Sequence, residues 1–377
     1  MGKDSRRLPP AIKHFCDLVD PRIDRQKLHL LPDIIVITIC AVICGADEWT
    51  EIALFGKAKE AWFRGFLELP NGIPSHDTFG RVFSRLDPEQ FRLCFQKWIQ
   101  CVRTKTDGEI ISIDGKTLRG SFDKASAKAA IHMVSAWSSA NRLVLGQIKV
   151  SEKSNEITAV PRLLDVLDLS GCIVTMDAMG CQKDHVKQIT DKNADYVLAL
   201  KGNQGKFHEE VEGFLGDALK LKFEDVDHQF FSEGPEKDHG RKENRKYWLV
   251  TDLEWSSKAK EWRGLNAVGM VESKRTEDGK TSQELRFFCT SLIDVKTFAR
   301  AVREHWGVEN GLHWNLDVSF NEDQSRIRKD NSPENLAVMR HVALNLLKQE
   351  TTIKNGIKAK RLKAGWDETY LLRVLGV

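Results

Sequence analysis

The 377-residue chain has eight cysteines but no C-x-x-C pair; they stand at 16, 40, 44, 94, 101, 172, 181 and 289. That spacing disfavours a zinc ribbon or finger and offers no disulfide framework. Several lie in apolar runs such as Thr38-Ile39-Cys40-Ala41-Val42, where a thiol behaves as a small hydrophobe. Long hydrophobic runs are also missing. The most apolar stretch, Ile34 to Gly45, is flanked by Asp33 and Asp47 and falls short of the roughly 18 residues that cross a bilayer. The N-terminus lacks a basic segment running straight into an apolar one and a small-residue cleavage site. Together these absences predict a reduced cytoplasmic protein with no membrane partner. A strong charge of either sign is absent as well. With 57 basic and 54 acidic residues the formal charge is +3, so only local charge can argue for a nucleic-acid partner. Repeats and low-complexity tracts are absent, and 41% hydrophobic with 29% charged residues is an ordinary globular balance.

What is present divides into tracts, and the length allows two or three units at roughly 100–200 residues each. Residues 1–105 read as a helical N-terminal domain. Leu28–Cys44 and Ala53–Phe66 are apolar helices, and Asn71-Gly72-Ile73-Pro74-Ser75 breaks the chain before a helix over His76–Leu86. Asp87-Pro88-Glu89-Gln90 predicts a further helix start, with Asp87 as cap and Gln90 completing a capping box. The helix with His76, Thr78, Arg81 and Arg85 after a short break resembles a DNA-reading helical pair, but helical hairpins are more often plain packing units. Residues 106–222 read as the first part of an α/β core. Strands at 110–114, 130–138, 142–150, 172–176 and 196–200 alternate with helices at 157–167 and 183–192, which predicts one mixed sheet with flanking helices. Residues 223–292 read as a β-rich insertion expected to pack apart from that sheet. Residues 293–350 return to helical period, and 351–377 form a basic tail expected to bind DNA.

Asp114 and Asp177 each end an expected strand, where carboxylates of one sheet can converge on a hard cation. Each also has a plain structural reading, since Asp114-Gly115 is a turn dipeptide and Asp177 could cap the next segment. On an ideal helix Glu309 shares a face with Val302, Trp306, Leu312 and Leu316, and a carboxylate buried there needs a cation or strong donors. Pairing of an exposed Glu309 with His305 or His313 is the alternative. Asp114-Gly115-Lys116-Thr117 echoes the end of a P-loop, but Ile110 stands where its first glycine belongs, which argues against a nucleotide cofactor. His305, Glu309, His313 and Asp317 recur every four residues, yet that stripe winds too far round a helix for one tetrahedral zinc.

Five blocks carry a resemblance: Ile113-Asp114-Gly115-Lys116-Thr117-Leu118-Arg119, Thr175 to Gln182, Lys201-Gly202-Asn203-Gln204, His239-Gly240-Arg241 with Glu243 and Arg245, and His305 to Asn310 continuing through His313-Trp314, Leu316-Asp317-Val318 and Glu322-Asp323. In this order, with Asn71 to Asp77 before them, they resemble the H-repeat-associated transposases of bacterial insertion sequences, members of the Asp-Asp-Glu superfamily. The resemblance implies a ribonuclease-H-like fold with a β-rich insertion before the last catalytic helix. It implies Asp114, Asp177 and Glu309 as the catalytic and metal-binding triad, with two Mg²⁺ ions for which Mn²⁺ can substitute. The reaction it implies is cleavage of double-stranded DNA at element ends and strand transfer to a target, by a homodimer assembled on DNA in the bacterial cytoplasm, at the nucleoid. Lys116, Arg119, Arg326 and Arg328 would hold the DNA backbone near the metals, and each reads equally as solvated charge. The Tyr, Arg and Lys that flank the glutamate in a related branch are replaced by Val302, His305 and Leu316. The rival readings are a nuclease of the same core without strand transfer and an inactive DNA-binding derivative.

Overall fold

The computed structural model describes residues 10–122, 129–150, 155–238, 241–277 and 279–377. His239-Gly240 of the resemblance blocks therefore lies outside the described residues. The N-terminal helices are α1 (Leu31–Ile43), α2 (Trp49–Ala58), α3 (His76–Arg85) and α4 (Pro88–Val102). Asp87 caps α4 by accepting from Glu89 N at 2.9 Å, but the capping box does not form, because Gln90 bonds the Asp87 carboxylate instead. The α/β core follows as β1 (Ile110–Leu118), β2 (Ile131–Ser138), β3 (Leu143–Lys149), α5 (Glu156–Val166), β4 (Ile173–Met176), α6 (Lys183–Asp191), β5 (Asp195–Leu200) and α7 (Lys206–Lys220). Then come β6 (Gln229–Asp238), β7 (Arg241–Val250), β8 (Ala267–Glu277) and β9 (Lys280–Thr290). The chain closes with α8 (Val295–His305), α9 (Trp314–Phe320), α10 (Ser332–Gln349), α11 (Ile357–Trp366) and α12 (Glu368–Val374).

The nine strands among the described residues form one sheet in the order β3-β2-β1-β4-β5-β9-β8-β7-β6. The first five positions are the ribonuclease-H-like arrangement, with β1, β4 and β5 parallel and β1–β3 an antiparallel meander. The expectation that residues 223–292 pack apart is corrected here. β9 pairs antiparallel with β5 from Val197↔Thr290 to Leu200↔Phe287, so the insertion extends the main sheet. The physical reason is the edge of β5: its unpaired N–H and C=O groups, in a strand of almost wholly buried residues, need a partner strand. Only the far halves of β8 and β9 project, since their exposed residues lie around the turn that joins them.

The helical N-terminus and the sheet share one apolar core, and α10 is the piece that joins them. It is buried from Ser332 to Leu347 apart from Glu334 and packs on α1, α3, α4 and β3. Two asparagines fix its position. Asn335 donates to the carbonyls of Phe83 and Leu86, and Asn345 bonds both backbone groups of Val144. The basic tail also belongs to this core. Lys360 is buried and donates to the Leu347 carbonyl, while Arg361 is buried and bonds the carbonyls of Val42 and Ser319 and the carboxylate of Asp47. These two cations satisfy backbone oxygens, so they are not available to a DNA backbone. No helix among the described residues is long and apolar enough to cross a membrane.

Candidate active site

The parallel pairing of β1 with β4 ends at Ile113↔Met176, so Asp114 and Asp177 leave two neighbouring strands at the same level. Asp177 follows the last residue of β4. Asp114 does not end its strand, as its carboxyl-side neighbours continue to pair with β2 through Leu118↔Ile131. Gly115 therefore serves close packing and not a turn: a Cβ there would lie 2.3 Å from the Glu156 carboxylate and 2.5 Å from the His132 ring. Burial pushes the Asp114 carboxyl up to about 6, against the pull of His313 and the Gly115 N–H, with Glu309 and Asp177 adding to the rise. Burial also raises Asp177, although its Oδ1 accepts from the N–H groups of Met179 and Gly180. The turn-capping reading of Asp177 is thus realised, while its other oxygen accepts no bond from a described group.

Glu309 sits elsewhere on its helix than ideal spacing places it. Between α8 and α9 the chain makes a π turn, Glu309–His313, which widens the helix and rotates the following face. Val302, Leu312 and Leu316 are buried, but Trp306 is 44% exposed and the Glu309 side chain 53%. The turn rests on the Trp137 indole of β2, where a Cβ on Gly311 would come within 2.6 Å of the ring. His313, which helical spacing offers as a partner for an exposed Glu309, takes that place and also faces Asp114, which spacing does not show. Its Nδ1 lies 3.6 Å from both Asp114 Oδ2 and Glu309 Oε2, and its own side chain is buried. The contact with His313 holds the Glu309 carboxyl below its ordinary value despite partial burial.

Asp114, Glu309 and His313 could hold a metal ion, each offering a ligand atom within 4.8 Å of the others; Asp177 stands outside that set. The four-residue stripe divides among different partners. Glu309 and His313 face Asp114, His305 bonds Thr175 at 2.8 Å, and Asp317 bonds Lys116 at 2.7 Å. The expected backbone-binding residues divide too. Lys116 is corrected to an internal counter-ion: its Nζ is within 3.3 Å of Asp317, Glu322 and Asp323, and its side chain is 10% exposed. Burial opposes its charge, but the three carboxylates outweigh that and raise its pKa. Arg328 donates to the Gly120 carbonyl and lies over the Phe122 ring, supporting the turn after β1. Arg119, with a side chain 81% exposed, and Arg326 face solvent.

The Transposase DDE domain family matches residues 105–346, and the family described as DDE_Tnp_1-associated matches residues 12–99. "Putative transposase YncI" of Escherichia coli O157:H7 is 46% identical over 371 residues, covering 94% of this chain and 92% of that protein. "H repeat-associated putative transposase YhhI" of Escherichia coli K12 is 40% identical over 376 residues, 98% of each. A piggyBac transposase synaptic complex with hairpin DNA superposes with a TM-score of 0.44 over 99% of this chain and 79% of that one, at 11% identity, too distant to bear on the site. The chain belongs to the DDE-domain family of DNA transposases, among relatives named as H repeat-associated, and has their ribonuclease-H-like fold.

Proposed function

We propose that the chain cuts phosphodiester bonds at the ends of an insertion sequence and joins the freed 3′ ends to target DNA, with Asp114, Asp177 and Glu309 as its catalytic carboxylates. One observation carries the reading: a strand residue and a helix residue far apart in the chain, Asp114 and Glu309, meet at a shared histidine. The donor set fits a divalent cation. Carboxylate oxygens are hard ligands, burial pushes the Asp114 carboxyl up to about 6, and the His313 imidazole beside both carboxylates offers a further ligand nitrogen. Two Mg²⁺ ions, or Mn²⁺ in their place, would supply Lewis-acid activation of the attacking oxygen and neutralise charge on the leaving oxygen.

The protein's own part is positioning. Asp114 and Glu309 hold ligand oxygens on two elements, and Asp177 offers its free oxygen from the neighbouring strand end. His313 stands 3.6 Å from the carboxylates of the first two. His305 locks α8 onto the sheet through Thr175. Beside the π turn runs an open groove of about 560 Å³ whose lining includes Arg142, Arg300, Arg303 and Lys348 together with Asp107, Glu109 and Glu304. Its cations suit a DNA backbone running past Glu309, and Arg119 and Arg326 add charge on the Asp323 side. Incubating the protein with its element's ends, a target duplex and Mg²⁺, then mapping products on a sequencing gel, tests the reading. Cut ends joined to target support it, cutting without joining reduces it to a nuclease, and equal cutting by Glu309→Gln removes Glu309 from the triad.

A further inference from the structure

A second basic site lies on the N-terminal helices. Arg22, Arg25, His29, Thr78, Arg81 and Arg85 line a cleft of about 290 Å³, and its lining contains no carboxylate. Thr78, Arg81 and Arg85 share one face of α3 at spacings of three and four residues. The opposite wall is the loop before α1, pinned by the Asn71-Gly72 turn. Asn71 donates to the Leu28 carbonyl at 2.6 Å, and His29 Nδ1 donates to the Gly72 carbonyl at 3.1 Å. Gly72 has a φ of +68, which its place in the turn requires. Ser75 then starts α3 by accepting from Thr78 N. The Asn71 to Asp77 block thus holds an arginine-bearing loop against an arginine-bearing helix.

Like charges placed together repel, so the arrangement is costly without an anion. The internal partners are few. Asp20 and the His29 carbonyl take Nε and Nη2 of Arg22, whose side chain is only 6% exposed, but its Nη1 is buried without a hydrogen-bond partner among the described residues. Among the described residues Arg81 reaches only the Asp77 carbonyl and the Thr78 hydroxyl. Arg25 and Arg85 are exposed and have no described partner. A buried guanidinium N–H without a partner and three outward guanidiniums around it are complementary to a tetrahedral, multiply accepting anion. A DNA backbone offers such groups, each singly negative, in a row that Arg25 and Arg85 can follow.

We propose that this cleft binds a phosphodiester of duplex DNA and is a sequence-independent clamp separate from the carboxylate site. The inference rests on DNA being the partner, not on the identity of the catalytic residues. The test is duplex binding without divalent metal, by fluorescence polarisation over a salt series, using an element-end duplex and a scrambled one. Arg25→Ala/Arg85→Ala, both changed at exposed side chains, should weaken both duplexes by about tenfold per guanidinium and lower the log-affinity against log-salt slope by about 0.9 for each phosphate no longer neutralised. Arg25→Lys/Arg85→Lys should keep most of the slope, and thermal melting should show that both variants fold. Unchanged affinity and slope in the alanine variant overturn the clamp alone if the wild type binds and cleaves. A loss confined to the element-end duplex overturns it in favour of base reading. Failure of the wild type to bind either duplex overturns both the clamp and the proposed function.

Discussion

Thr175 Oγ1 donates to Ser112 Oγ at 3.2 Å and accepts from His305 Nδ1 at 2.8 Å, linking α8 to the two strands that deliver Asp114 and Asp177. Burial pushes the His305 imidazole down to about 4, so it is a neutral strut at physiological pH. Thr175→Val keeps the shape and leaves Nδ1–H of the half-buried His305 unpaired. The expected cost is about 1–3 kcal/mol in denaturant unfolding, with slower DNA cleavage because Glu309 sits one helical turn beyond His305. Unaltered stability would mean that packing, not this bond, sets the helix.

Asp114→Asn should abolish cleavage and stabilise the metal-free protein. The wild-type carboxyl is raised to about 6 by burial, so its ionised form is disfavoured in the fold relative to the unfolded chain. Removing that charge should add ~1–3 kcal/mol at pH 7. Mg²⁺ should raise the melting temperature of the wild type and leave the variant almost unmoved, because a ligand stabilises only the state that binds it. A destabilised variant, or an equal Mg²⁺ shift in both, would contradict this account of the site.

Lys116→Met should unfold the protein far more than it weakens DNA binding. Glu322, 2% exposed, would lose Lys116 and keep only Arg340 at 3.5 Å. Breaking a buried ion cluster from one side costs about 3–5 kcal/mol. Arg119→Ala is the contrast, as its exposed side chain should leave stability within about 0.5 kcal/mol while lowering DNA affinity. Reversed outcomes would return Lys116 to the DNA surface.

These contrasts show what the sequence makes legible. The central strands stand out because Ile110–Ile113, Ile173–Met176 and Tyr196–Leu200 are short runs that are apolar except for Ser112 and Thr175, and buried throughout or nearly so, the pattern of a sheet covered on both faces. β6 is not legible. Its Gln229–Asp238 segment is polar and interrupted by Gly234-Pro235, which the irregular register between Glu233 and Glu236 accommodates. Glu309 is proposed from its motif, while the buried-face argument for it fails because a π turn is invisible to a fixed helical period. The pairing of Lys116 with Asp317, Glu322 and Asp323 joins groups about two hundred positions apart, and only the tertiary fold brings them together. Arg361 is similar: its charge suggests a DNA tail, but its place beneath α1 makes it a cap.

His341 should make the fold acid-sensitive. It is buried on α10, its Nδ1 has no hydrogen-bond partner among the described residues, and burial, then His313, Lys116 and Arg340, hold its pKa down to about 3. The unfolded chain takes up this proton near the ordinary value of about 6.5. Between pH 6.5 and 3 the unfolded state therefore binds one proton more than the fold, and stability contributed by neutral His341 is lost as pH falls, by about 1.4 kcal/mol for each pH unit. His305 acts in the same direction, while Asp114 opposes both, because its raised carboxyl protonates first in the fold. The net curve mixes the three, so the decisive quantity is the difference between wild type and His341→Leu. That difference should change steadily from pH 6 to pH 4 in favour of the variant, read by urea unfolding at each pH. Parallel curves would mean that His341 protonates within the fold without penalty, and that water or a rearranged carboxylate reaches its ring.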